Sequence, residues 1–134
     1  MLDGPKHLTG GCLCEAVRFT LRAVQADVTA CHCGQCRKVT GNFLATTNVP
    51  ASGLSFVTEA GLAWYRSSDL AERGFCKVCG SVLFWRQIES DHIAITAGSF
   101  DGETGLTIKD HIFVGDKPDW YDITDGKPQY PAWR

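Results

Sequence analysis

Cys12-Leu13-Cys14-Glu15-Ala16-Val17-Arg18-Phe19-Thr20-Leu21-Arg22 joins two signals in one stretch. Two thiols one residue apart come first, and a strict alternation follows. Val17, Phe19 and Leu21 share one face while Arg18, Thr20 and Arg22 share the other, the pattern of a half-buried strand. A β-protein that starts beside a pair of candidate metal ligands is the reading this stretch supports.

The rest of the chain repeats the pattern. Short strand-like segments fall near residues 43–48, 54–57, 62–66, 81–87, 92–97 and 107–114, with Gly, Pro, Asp or Ser between most of them. The one helical expectation is a short turn over 35–40, ended by Gly41. No linker, internal repeat or low-complexity stretch interrupts the 134 residues, so a single domain, 1–134, of short antiparallel sheets tied by metal is expected. The closing segment carries Trp120, Tyr121, Tyr130 and Trp133 among Pro and Gly, and such a tail packs across a sheet more often than it binds ligand.

Composition narrows the class. A hydrophobic content of 44% with 21% charged residues describes a globular chain that can bury a core. The longest apolar runs, 62–65 and 82–85, have four residues, against the roughly 20 that span a bilayer. The amino-terminal residues 1–7 lack the apolar core of a secretory signal, so a cytoplasmic protein is expected. Thirteen Lys and Arg against fifteen Asp and Glu leave a net charge of −2 and no basic block, which argues against a nucleic-acid partner.

The seven cysteines carry the chemistry. An odd number in a reducing compartment argues against a disulfide framework. They cluster as Cys12 and Cys14, then Cys31, Cys33 and Cys36, then Cys76 and Cys79 followed by Gly80 and Ser81. Thiolates at such spacing suit Zn²⁺, and a structural site takes four of them in a tetrahedron. Cys76-x-x-Cys79-Gly80 resembles a zinc knuckle, whose turn aims backbone amides at the sulfurs. Spacing alone does not choose its partner, which is either Cys12 with Cys14 or Cys31 with Cys33. Ligand chemistry favours the first, because Cys31, Cys33 and Cys36 lie within six residues and would hold one ion together. Four plus three then reads as one closed structural site and one site with an open position, the arrangement of catalytic zinc. Two other readings of the trio stand beside this. A fourth ligand from His32, His92, His111 or a partner chain would make it structural, and three metal-free thiols would make it redox-active. His32 is awkward as a ligand, since on an extended segment it points away from both neighbouring cysteines.

In order along the chain, Gly11-Cys-Leu-Cys14, Cys31-His-Cys-Gly-Gln-Cys-Arg-Lys-Val-Thr-Gly41, Arg73-Gly-Phe-Cys-Lys-Val-Cys-Gly80, His111-Ile-Phe and Trp120 resemble the glutathione-dependent formaldehyde-activating enzyme family, also called CENP-V/GFA. The resemblance runs from about residue 10 to the end. It implies a zinc-binding β-tent with two metal sites: Cys12, Cys14, Cys76 and Cys79 as the structural set, and Cys31, Cys33 and Cys36 as the catalytic one. Glu15 departs from the Gly common in the family, so a different local turn is expected if that Gly serves a special backbone angle. The implied reaction adds glutathione to formaldehyde to give S-hydroxymethylglutathione, carbon–sulfur lyase chemistry in reverse.

Three thiolates on Zn²⁺ leave a core of net charge −1, a weak activator of water but a good holder of a substrate thiolate. The expected partners are therefore a glutathione-like thiol and an aldehyde, with no nucleic acid and no membrane. Arg37, Lys38 and Arg73 flank the cysteine motifs and are candidates for carboxylate contacts, although solvated surface charge explains them equally well. His32 is a candidate proton relay, and Phe75 and Trp85 are candidate pocket walls or core residues. The rival functions are a non-catalytic zinc module and a thiol redox enzyme of the methionine sulfoxide reductase type, whose paired Cys-x-x-Cys motifs are absent. A zinc deaminase would need a His or Cys, one residue, then Glu, and no such motif occurs.

Overall fold

A computed structural model describes residues 6–23 and 27–134. Residues 1–5, part of the segment read above as lacking a signal, lie outside the described residues. The chain forms two compact units, Met1–Ala26 with Thr47–Gly105, and Asp27–Thr46 with Leu106–Arg134. No helix is long and apolar enough to cross a membrane among the described residues.

In the first unit, β1 (Lys6–Gly11), β2 (Arg18–Ala23) and β5 (Leu54–Thr58) form an antiparallel sheet in the order β1-β2-β5. A meander follows in which β6 (Leu62–Arg66), β7 (Ala71–Cys76), β8 (Val82–Gln87) and β9 (His92–Thr96) pair consecutively and antiparallel. The alternation read in the opening stretch is the one the fold uses. Val17, Phe19 and Leu21 are buried, while Arg18 and Thr20 are half-buried and Arg22 is exposed. Phe19 is an anchor of the core: its ring lies 5.6 Å from Phe84 and 5.9 Å from Phe100. Phe56 meets Phe84 edge-on at 5.8 Å and Trp64 stacks on it at 6.0 Å. Each such side chain contributes about 1.5–3 kcal/mol by leaving water. Gly74 makes room for the Trp64 and Phe84 rings, since a Cβ there would stand 3.0–3.1 Å from both.

The second unit contains β3 (Val28–Cys31), α1 (Gly34–Thr40), the start of β4 (Leu44–Pro50) and β10 (Ile108–Ile112). β3 pairs with β4 antiparallel and with β10 parallel. The parallel pairing differs from the all-antiparallel expectation. Parallel neighbours need a long crossover, and here everything from α1 to residue 107 intervenes. The aromatic tail lies alongside β10: Gln129 bridges His111, the Tyr130 amide donates to the His111 carbonyl, and the Phe113 amide donates to the Ala132 carbonyl. Arg134 closes it with a two-pronged ion pair to buried Asp110, at 2.6 and 3.1 Å.

Three strands escaped the sequence reading. β1 ends in two glycines and has Lys and His at its start, β3 is four residues long, and β7 carries Glu, Arg and Gly where a strand usually carries apolar residues. All three are made by their neighbours, and β7 lies between β6 and β8. Ladder hydrogen bonds from both sides override weak propensity in β7, whereas β1 is an edge strand paired with β2.

Candidate metal centres

The seven sulfurs gather as four and three. Cys12, Cys14, Cys76 and Cys79 form one group in the first unit, and Cys31, Cys33 and Cys36 form another in the second, each with its sulfurs within 4.8 Å of one another.

In the group of four, Cys12 Sγ lies 3.7 Å from Cys14 Sγ, which lies 3.8 Å from Cys76 Sγ. Four thiolates bound tetrahedrally at about 2.3 Å have edges of about 3.8 Å, so the donors stand where one ion would hold them. The backbone supplies amides to match. Val17 N–H donates to Cys12 Sγ at 3.2 Å and Cys79 N–H to Cys76 Sγ at 3.5 Å. Gly80, at φ 82°, closes the knuckle by donating to the Cys76 carbonyl, while Cys76 N–H donates to the Ser81 carbonyl. Ser81, read in the sequence only as the residue closing the knuckle, ties the two halves together through its side chain. Its hydroxyl accepts the Leu13 amide at 3.1 Å and lies 3.2 Å from Cys79 Sγ. The Ser81 hydroxyl and then its amide hold the Cys79 thiol down at about 5. Cys14 is pushed the other way, to about 11: the Ala16 amide opposes the rise, but burial and the sulfurs of Cys79, Cys12 and Cys76 outweigh it. Four thiolates do not coexist comfortably there without a cation, so the donor set fits a divalent metal.

Glu15 sits between these ligands and β2 with φ 69°. Glu15 adopts the left-handed conformation itself, with its amide donating to the Cys12 carbonyl at 3.3 Å, and bears a steric cost that glycine avoids.

The group of three is built on the junction of β3 and α1. Cys31 ends β3, and Cys33 is the N-cap of α1 and accepts the Cys36 amide at 3.4 Å. Cys36 is buried in the first turn. Gly41, at φ 92°, ends the helix as its position in the sequence suggests, donating to the Arg37 carbonyl. Hydrogen bonding with Cys33 and then Cys36, with burial, raises the Cys31 thiol well above its ordinary value. Three thiolates crowded together repel, and a cation relieves that repulsion. Among the described residues no histidine or carboxylate joins the three sulfurs.

Each histidine considered as a fourth ligand is otherwise engaged. His92 is exposed beside Asp91 at 2.8 Å. His32 is fully buried, with Nε2 at 2.9 Å from His111 Nδ1, and His111 Nε2 lies 2.8 Å from Asp125 Oδ2. Burial, with His111 and Lys117 nearby, pushes His32 down to about 4, so its ring is neutral near pH 7. Phe43, at 4.9 Å, and Tyr121, stacked at 6.2 Å, enclose the His32 ring. Asp125, Phe43 and this use of Tyr121 were missed in the sequence. Asp125-Gly126 signals only a turn, which forms through the Lys127 amide donating to Asp125 Oδ1. Arg37 and Lys38 lie in the last turn of α1, whereas Arg73, Phe75 and Trp85 belong to β7 and β8 of the first unit.

A mainly β chain with two separate cysteine clusters, each able to hold a metal ion, defines the class of protein. Residues 7–116 match the family described as glutathione-dependent formaldehyde-activating enzyme, and the chain belongs to that family. It is 31% identical over 118 residues to a Schizosaccharomyces pombe protein named an uncharacterized lyase, covering 87% of this chain and 85% of the relative. A crystal structure of a Rhodobacter sphaeroides protein shares the fold with a TM-score of 0.62 at 22% identity, over 72% of this chain and 91% of that one. The family and the lyase-named relative support an enzyme of the lyase type.

Proposed function

We propose that this protein is a zinc-dependent carbon–sulfur lyase-type enzyme that forms or cleaves the adduct of a small thiol and an aldehyde. Glutathione and formaldehyde, the pair in the family's description, are the substrates proposed, with S-hydroxymethylglutathione as the adduct. One observation carries the reading: three sulfurs within 4.8 Å of one another, with no fourth protein donor beside them among the described residues. Cys31, Cys33 and Cys36 would hold the catalytic zinc, and Cys12, Cys14, Cys76 and Cys79 a structural one. When bound at three thiolates, zinc supplies a weak Lewis acid suited to keeping a substrate thiol ionised.

The chain's own residues do the rest. Cys33, capping α1, and Cys36, one turn into it, set the spacing of the donors, and the Cys36 amide offsets the charge on the Cys33 sulfur. Arg37 and Lys38, on the same short helix, are the cationic groups offered to the carboxylates of a glutathione-like thiol. In the forward direction the thiol sulfur bonds to the aldehyde carbon, and the thiol proton ends on the new hydroxyl. Cleavage reverses both transfers. The family match spans both compact units, which supports reading the chain as one domain. Seven free thiols suit a reducing compartment, and the cytoplasm is the location proposed.

Native mass spectrometry tests the reading. Two zinc ions per chain are expected, one of them released by mild chelation and, when present, gaining one glutathione. A single tightly held ion with three titratable thiols left over would overturn it in favour of a structural zinc domain.

A further inference from the structure

The chain of contacts from Asp125 through His111 to His32 has a direction. A carboxylate only accepts hydrogen bonds, so His111 Nε2, 2.8 Å from Asp125 Oδ2, carries the proton. His111 Nδ1 lies 2.9 Å from His32 Nε2, so a single ring N–H joins the two imidazoles there. The Asp125 carboxylate thus orients His111, and His111 orients His32. At the far end, His32 Nδ1 is buried with no hydrogen-bond partner among the described residues. The orientation of this fully buried ring is therefore set by its Nε2 contact and by the rings packed on it, not by Nδ1.

That orientation matters because of where His32 sits. Its backbone links Cys31 to Cys33, so rotation of residue 32 moves the sulfurs on both sides of it. The ring is fixed in plane by the hydrogen bond to His111 and out of plane by Phe43 and Tyr121. The same segment is fixed at the main chain by the His32 amide donating to the Ile112 carbonyl at 3.0 Å. His111 is in turn held by main-chain bonds to Pro128 and Tyr130, the segment that follows Asp125.

We infer that Asp125 is a positioning residue for the three-cysteine site, acting through His111 and His32 to hold Cys31 and Cys33 in metal-binding geometry. Asp125 touches no ligand and is one-third exposed, so it acts only through the two rings. The inference rests on the proposal that the three cysteines bind zinc. Outer partners of this kind change metal retention by about 10–100-fold when removed.

The experiment compares the full-length parent, Asp125→Ala and Asp125→Asn, each loaded with zinc. Two quantities are read: the rate of zinc transfer from each site to a chromogenic chelator, and the tautomers of His32 and His111 by nitrogen-15 NMR. In the parent, His111 is expected to carry a proton on Nε2, facing Asp125. Asp125→Ala is expected to release the labile zinc at least 10-fold faster, with at least one ring changing tautomer, while the four-cysteine zinc is retained. Asp125→Asn, whose amide oxygen can still accept from His111, is expected to restore both readings towards the parent. Should Asp125→Ala fail to fold, His111→Phe breaks the same chain and is read in the same way. Unchanged release of the labile zinc in a folded variant overturns the inference alone. A parent that binds no zinc at the three cysteines overturns the proposed function and this inference together.

Discussion

Gly61 lies so close to Cys76 that a Cβ on residue 61 would stand 2.8 Å from the Cys76 sulfur and 2.7 Å from the Ala16 side chain. Its amide donates to the Ala16 carbonyl and its carbonyl accepts the Lys77 amide, so this glycine joins the turn after Cys14 to the knuckle. Neither neighbour is the free end of a flexible side chain. Gly61→Ala is therefore expected to destabilise the protein by about 1–3 kcal/mol and to loosen metal in the four-cysteine group before the three-cysteine group. Thermal unfolding and zinc release, measured on the same sample, check this. An unchanged midpoint with unchanged release would show that the close approach carries no energy.

Ser81 governs the ionisation of Cys79. With its folded value held at about 5 against an ordinary 9.0, Cys79 stabilises the metal-free fold fully only above about pH 9. That contribution falls steadily as the pH drops and is gone below about 5. Ser81→Ala removes the hydroxyl beside the sulfur, so the pH midpoint for alkylation of Cys79 in zinc-stripped protein should move upward. Peptide mass spectrometry after iodoacetamide pulses at several pH values reads Cys79 separately from the other thiols. A midpoint unmoved by the substitution would assign the effect to the backbone amides instead.

Glu15 occupies a left-handed turn that costs a non-glycine residue about 1–2 kcal/mol. Part of that cost is offset in Glu15→Gly by the greater freedom of glycine in the unfolded chain. A net gain of about 0.5–1 kcal/mol is expected, read as a higher denaturant midpoint, while Glu15→Val should lower it. Equal midpoints for all three proteins would contradict the strain argument.

Cys36 separates the two cysteine groups functionally. Cys36→Ala should abolish turnover of S-hydroxymethylglutathione by more than about 100-fold, beyond what loss of an outer partner causes, and should lower zinc content by one ion per chain. The protein should remain folded, because the four-cysteine group and the Phe19 cluster lie in the other compact unit. Full activity in this variant would remove the catalytic role from the trio.

The alternation from Val17 to Arg22 was legible because burial on one face of a strand imposes a two-residue period. The short helix after Cys33 was legible from Gly41, whose left-handed φ ends it. The strands β1 and β7 were not, because Gly and charged residues make them poor strand formers, nor was β3, which is only four residues long. Asp125, His111 and His32 were illegible as a set, since each is an ordinary residue until the fold brings them within hydrogen-bond reach. The backbone angle of Glu15 was illegible as well, since a non-glycine side chain gives no sign of a left-handed turn.

Within a few residues, the sequence determined the chemistry. Cysteines one to three residues apart are near each other in any compact conformation, so their spacing already specifies half-sites for metal. The encounter of Cys14 with Cys76, 62 residues apart, was decided only by the tertiary structure, as were the close approach of Gly61 and the reach of Asp125 to His111. Those contacts depend on strand order and register, which are set by the balance of burial and hydrogen bonding over the whole fold.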